Sequence, residues 1–248
     1  MCTVFFRFRA GEGGSLLLGA VRDEFLDRLW KPPDHHWSGL HRTFEGGLDL
    51  TAGGTWLAVD RSQPAVAVLV NGVVVDEAES APPPPGARSR GACPLRALAG
   101  EFPLERAESI GMGGFHLLLG RPAGVELWSW DGVDLRHQEV PPGDHVLTFY
   151  GLDDRDHERA AGVLRALNTT ADAEPRPGEP AETAWAPWLG LFGDGEPADR
   201  NPHSPLVSRL LDGRPYGSTS ASLVALTPAH VRYDFTADPW DRLRWYEV

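Results

Sequence analysis

The chain has 248 residues, a formal net charge of −12 and 42% hydrophobic residues. That length suffices for a sizeable core, read here as one domain over residues 1–248. The acidic balance speaks against nucleic acid or an anionic membrane as main partner, and no run nears the roughly 18 apolar residues of a membrane-spanning helix. Two cysteines, Cys2 and Cys93, are too few for a disulfide framework. Without a basic-then-apolar leader, the expected location is the cytoplasm.

Residues 3–8 form a β-branched and aromatic run that predicts a strand. A Gly-rich turn at 11–14 leads to a second, buried strand at 15–21, ended by the charged trio Arg22, Asp23 and Glu24. Residues 25–41, rich in Pro and aromatics, read as a loop over this end of the hairpin. Strands are expected at 55–59 and 65–70. Asn71-Gly72 before Val73 carries the signature of a two-residue hairpin turn. Residues 82–85 are a polyproline tract, and 94–106 read as a helix interrupted by Pro103. Strands follow at 115–119, 125–130 and 145–149. The clearest helix is 156–167, where Ala160, Val163, Leu164 and Leu167 share a face. Residues 172–187 read as mobile and 206–211 as a short helix. Final strands fall at 223–226 and 231–235. Many strands, few helices and no βαβ alternation predict an α+β fold with antiparallel sheets.

The chemistry concentrates at the N-terminus. With Met1 removed, Cys2 carries a thiol nucleophile and a free α-amine, whose reference pKa of about 7.7–8.0 suits a base near neutral pH. An antiparallel hairpin brings the end of its second strand beside the start of its first. Arg22 and Asp23 are therefore expected next to Cys2, Arg22 to lower the thiol pKa and Asp23 to hold the α-amine. His35 and His36 cluster with Asp34 and His41. Adjacent histidines on an extended segment face opposite ways, so no metal site is expected there. Gly111 to Gly114 precede a strand, whereas a phosphate loop precedes a helix.

Met1-Cys2-Thr3-Val4-Phe5-Phe6, Arg22-Asp23-Glu24-Phe25 and Gly53-Gly54-Thr55-Trp56-Leu57 together resemble the NRDE family, also called the transport-and-Golgi-organisation family. Weaker echoes follow at Asn71, Arg88-Ser89-Arg90-Gly91, Tyr150-Gly151-Leu152 and Tyr216 to Ser222. The resemblance implies an αββα sandwich like that of the N-terminal-nucleophile (Ntn) hydrolases. It adds Asn71 to Cys2, Arg22 and Asp23 as a catalytic candidate. Glu24, Trp56, His35 and His36 are ligand-binding candidates.

The chain departs from the family pattern at Val21, for the first Asn of the Asn-Arg-Asp-Glu motif, and at Asp154, also for an Asn. Thr219 replaces an Arg and Ala221 another Asn. Loss of an oxyanion donor costs roughly 10²–10³ in rate, which favours binding or trafficking of a small hydrophobic ligand over turnover. The resemblance implies haem or an acyl compound. Haem is a candidate ligand with Cys2, His35 or His36 as axial donors, and no cofactor is required. The alternative is an amidohydrolase or acyltransferase with Cys2 as nucleophile. A third reading is a scaffold in which Cys2 is incidental.

Overall fold

The computed structural model describes residues 2–39, 44–73, 88–193, 195–201 and 203–248. Met1, His41 and the 82–85 tract lie outside them. In chain order come β1 (Thr3–Arg9), β2 (Ser15–Phe25), β3 (Trp30–Asp34), β4 (Phe44–Asp49), β5 (Leu57–Asp60), β6 (Ala65–Asn71), α1 (Cys93–Leu98) and α2 (Arg106–Ser109). Then follow β7 (Phe115–Arg121), β8 (Gly124–Trp130), β9 (Leu135–Val140), β10 (Gly143–Thr148), β11 (Gly151–Leu152) and α3 (Glu158–Thr169). The chain closes with α4 (Ala181–Ala184), α5 (Ala186–Leu189), β12 (Ser208–Leu211), β13 (Arg214–Thr227), β14 (His230–Thr236) and β15 (Tyr246–Glu247).

Strands β3 to β9 form one antiparallel sheet in simple sequence order. The other sheet runs β11-β10-β1-β2-β13-β14-β15, with β12 paired to β13. The N-terminal hairpin is thus central, between β10 and the long C-terminal strand β13.

Side-chain alternation along the strands sorts residues into layers. Val4, Phe6, Leu16, Leu18 and Ala20 of one sheet meet Leu57, Val59, Val66, Val68, Val70 and Leu118 of the other. The opposite phase, Phe5, Leu17, Val21, Ala221 and Leu223, packs on Ala160, Val163, Trp185 and Trp188 of the helical layer. Outside the second sheet, Ala67, Leu69, Leu117 and Leu119 pack on Cys93, Leu95 and Leu98 of α1. Each large apolar side chain buried this way stabilises the fold by about 1.5–3 kcal/mol. The result is the α+β, Ntn-hydrolase-like αββα sandwich.

Several local expectations are corrected. The loop expected over 25–41 contains β3, paired to β4. The hairpin expected at Asn71-Gly72 needs residues 74 and 75, which lie outside those described; β6 itself pairs with β5 and β7. The helix expected at 206–211 is strand β12, joined to β13 by Asp212-Gly213, both with positive φ. This is the Asp-Gly turn that suits a hairpin's twist. The 172–187 segment holds α4 and the start of α5. Trp185 is fully buried there and donates to Asp234 Oδ2 at 2.7 Å, so aromatic burial anchors a stretch whose Pro and Glu content suggests mobility.

Candidate functional site around Cys2

Thr3 pairs with Val21 in the β1–β2 ladder, and Ser220 pairs with Arg22 between β13 and β2. Cys2, one step beyond Thr3, is therefore level with Arg22 in the next row. Cys2 is half-buried and packs against the core between the sheets. Burial pushes its thiol above the ordinary range and the Asp23 charge adds to this, whereas the Asp23 main chain and Arg22 pull it down.

Arg22 is 4% exposed. Its Nη2 donates to Asp49 Oδ2 at 3.0 Å, its Nη1 to Thr219 Oγ1 at 3.0 Å, and its guanidinium carbon lies 4.6 Å from the Trp56 ring centroid. Asp49 also accepts from Arg28 Nε at 2.7 Å and from the Thr51 and Ala52 main-chain N–H groups at 3.0 and 2.9 Å. Burial raises the Asp49 pKa, but these bonds outweigh it and hold the carboxyl below its usual range. Glu24 sits 3.9 Å from Arg22 and 3.7 Å from Arg28.

Asp23 belongs to the other phase of β2 and faces the helical layer. Its Oδ1 accepts from Ser218 Oγ at 2.6 Å, and Arg159 Nη1 of α3 lies 3.5 Å from Oδ2. Oδ2 is buried and has no hydrogen-bond partner among the described residues. Burial raises the Asp23 pKa, while Arg159 and Ser218 oppose it.

Trp56 forms a wall with Trp30, which is edge-on to both Trp56 and Phe235 at 5.8 and 5.9 Å. The glycines before it have a packing reason. A Cβ on Gly54 would overlap the Gly91 carbonyl, and Thr55 N donates to Gly91 O at 2.8 Å. This contact seats the 88–93 loop and brings in Arg90, whose Nη1 donates to Gly114 O at 2.6 Å. Burial lowers the Arg90 pKa, and the charges of Cys93, Cys2 and Glu24 work against that fall.

The structure thus brings Cys2, Arg22, Asp23, Glu24 and Trp56 together. Asn71 does not join them through any side-chain hydrogen bond among the described residues. It ends β6 in phase with Ala67 and Leu69, which face α1. His35 and His36 are engaged elsewhere. His35 lies 3.6 Å from Glu45, and His36 Nε2 is 2.9 Å from Pro32 O. Val21 and Ala221 face each other in the helical-layer core, so neither replacement takes a donor from the Cys2 face. Asp154 Oδ1 accepts from Asp156 N at 2.9 Å in the turn before α3. Sequence reasoning missed Arg28, Asp49 and Arg159 and named Arg90 only within the Arg88-Ser89-Arg90-Gly91 echo, without a site role. Of the three missed, only Asp49 had a local signal, an Asp at the head of a Thr-Ala-Gly-Gly turn.

The fold is an α+β sandwich of two antiparallel sheets, with Cys2 at the start of its central hairpin. The chain belongs to the Transport and Golgi organisation 2 family, whose model matches residues 1–175. A search of curated proteins gave no match. Among the described residues no helix is long and apolar enough to cross a membrane.

Proposed function

We propose that this chain performs acyl transfer at Cys2 on amide or thioester substrates once Met1 is removed. The observation that carries this reading is the buried Oδ2 of Asp23 beside the start of β1, which has no hydrogen-bond partner among the described residues and only the longer ion-pair contact with Arg159 at 3.5 Å. A buried carboxylate oxygen without a donor is unfavourable, and the ammonium of a mature Cys2 terminus supplies one. With a reference pKa of about 7.7–8.0, that ammonium gives up one proton to solvent near neutral pH. The resulting neutral amine takes the thiol proton and becomes the ammonium again. The Cys2 Sγ–carbon bond forms as the carbonyl electron pair moves onto oxygen. Collapse expels an amine or thiol, which leaves with the proton from the ammonium. Water repeats the sequence on the acyl-enzyme. Arg22, held by Asp49, Thr219 and Trp56, keeps a fixed positive charge beside the thiol, which favours thiolate and oxyanion.

The test is turnover of short-chain acyl thioesters and N-acyl amides by wild type and Cys2→Ala. Turnover that vanishes in Cys2→Ala supports the proposal, and equal turnover in both refutes it.

A second reading, handling of a haem or acyl ligand without turnover, is favoured by the aromatic wall of Trp30, Trp56 and Phe235 and by the burial-raised thiol. It predicts a haem Soret shift lost in Cys2→Ala. A shift that survives Cys2, His35 and His36 substitutions contradicts axial ligation by these residues.

A further inference from the structure

We infer that Arg90 receives a carboxylate group of the ligand that meets Cys2. The inference rests on the Cys2-centred reading for its location and on charge complementarity for its chemistry.

With Asp23 paired to Arg159 on the helical-layer side, the described residues around this site set three further guanidiniums, Arg22, Arg28 and Arg90, against two carboxylates, Glu24 and Asp49. Asp49 is taken by Arg22 at 3.0 Å and Arg28 at 2.7 Å. Glu24 is shared by the same two arginines at 3.9 and 3.7 Å. Arg90 is the cation left over. It forms no ion pair among the described residues, and its single hydrogen bond there runs from Nη1 to the Gly114 carbonyl. Nε and Nη2 remain without one.

Arg90 is nonetheless held in place. The Gly91 carbonyl is anchored by Thr55 N, Gly54 and Gly91 are in direct backbone contact, and Nη1 lies 3.2 Å from where a Cβ on Gly113 would stand. Among the described residues this half-buried guanidinium has no direct ion pair, and Glu24 acts on it only at longer range, which leaves its burial incompletely compensated. Its planar fork matches a carboxylate in two parallel hydrogen bonds, and rigid placement lowers the entropy lost on forming them. The same Thr55-Trp56 segment that fixes Arg90 carries the ring against which Arg22 stacks. Both arginines are therefore tied to one backbone segment, and the charges of Cys2 and Glu24 reach Arg90, so an acyl compound with a second carboxylate would satisfy both the thiol and the surplus charge.

The experiment titrates glutarate and its neutral diamide, glutaramide, into Cys2→Ala and into Cys2→Ala combined with Arg90→Gln or Arg90→Lys. Binding is followed by calorimetry and tryptophan fluorescence, with circular dichroism as the check on folding. The expected result is a roughly ten- to hundredfold preference for glutarate, erased by Arg90→Gln and partly kept by Arg90→Lys. Absence of glutarate binding, equal binding of both probes, or a preference untouched by Arg90→Gln overturns the inference. These variants lack the thiol, so the result is independent of acyl transfer. If Cys2 proves unreactive while the glutarate preference stands, only the acyl-transfer reading falls.

Discussion

The Arg22 guanidinium lies 4.6 Å from the centre of the Trp56 ring while donating to Asp49 at 3.0 Å. One contact is dispersive and quadrupolar, the other ionic, and they come from two different segments of the second sheet. Together they clamp the residue level with Cys2 between the sheets. A desolvated cation–π contact contributes about 2 kcal/mol, and the buried ion pair fixes direction more than it adds stability.

Asp49 is accordingly the residue whose loss should loosen this clamp. Asp49→Asn retains an acceptor for the Thr51 and Ala52 N–H groups but leaves Arg22 and Arg28 with only the more distant Glu24 as counter-charge. Breaking a buried pair this way is expected to destabilise the protein by about 3 kcal/mol, read as a lower urea midpoint. The pH dependence has a definite sign. The folded Asp49 pKa lies below its unfolded value of about 3.9, so its stabilisation is present above that value and is lost as pH falls through the folded pKa. Wild type should lose more stability than Asp49→Asn on acidification below about pH 4.

Gly54→Ala tests the seating of the Arg90 loop. The added methyl would meet the Gly91 carbonyl, which is backbone and cannot swing away. Overpacking of this kind costs about 1–3 kcal/mol. The expected outcome is a lower melting temperature together with faster exchange of the Thr55 amide, which normally donates to Gly91. A melting temperature equal to wild type contradicts the contact.

His145 on β10 provides a second pH signature, away from the thiol. Its Nδ1 lies 2.7 Å from Asp153 Oδ2 and its Nε2 2.9 Å from Pro141 O. Burial lowers its pKa, but these partners outweigh burial and the net shift is upward. A raised folded pKa gives stability that is fully present below the unfolded value of about 6.5 and is lost as pH rises through the folded one. Urea midpoints should therefore fall between about pH 5.5 and about pH 8.5 in wild type, and fall less in Asp153→Asn. An equal fall in both would contradict the pair.

Much of the architecture was legible because strand periodicity and turn chemistry act locally. The β1–β2 hairpin, β7–β8 with its Arg121 to Gly124 turn, and α3 all follow from runs of a few residues. The elements that escaped depend on distant partners. Strand β9 is mostly polar and exposed, and it exists because β8 offers its edge. Residues 206–211 look helical until the Asp212-Gly213 turn is recognised. At the site, hairpin topology foretold that Arg22 and Asp23 flank Cys2. It did not reveal that alternation sends Val21 and Ala221 to the opposite face, because the phase of a strand is set by the layers packed on it. Asp49, Arg90 and Arg159 arrive from β4, a loop and α3, and no spacing in the sequence encodes their meeting.

The most direct test of the central claim is intact-protein mass spectrometry before and after a β-lactone or acyl-thioester probe, on wild type and Cys2→Ala. The account predicts a mature chain lacking Met1 that takes up one acyl group, and no uptake in Cys2→Ala. Retention of Met1, or an adduct that persists without the Cys2 thiol, would contradict it.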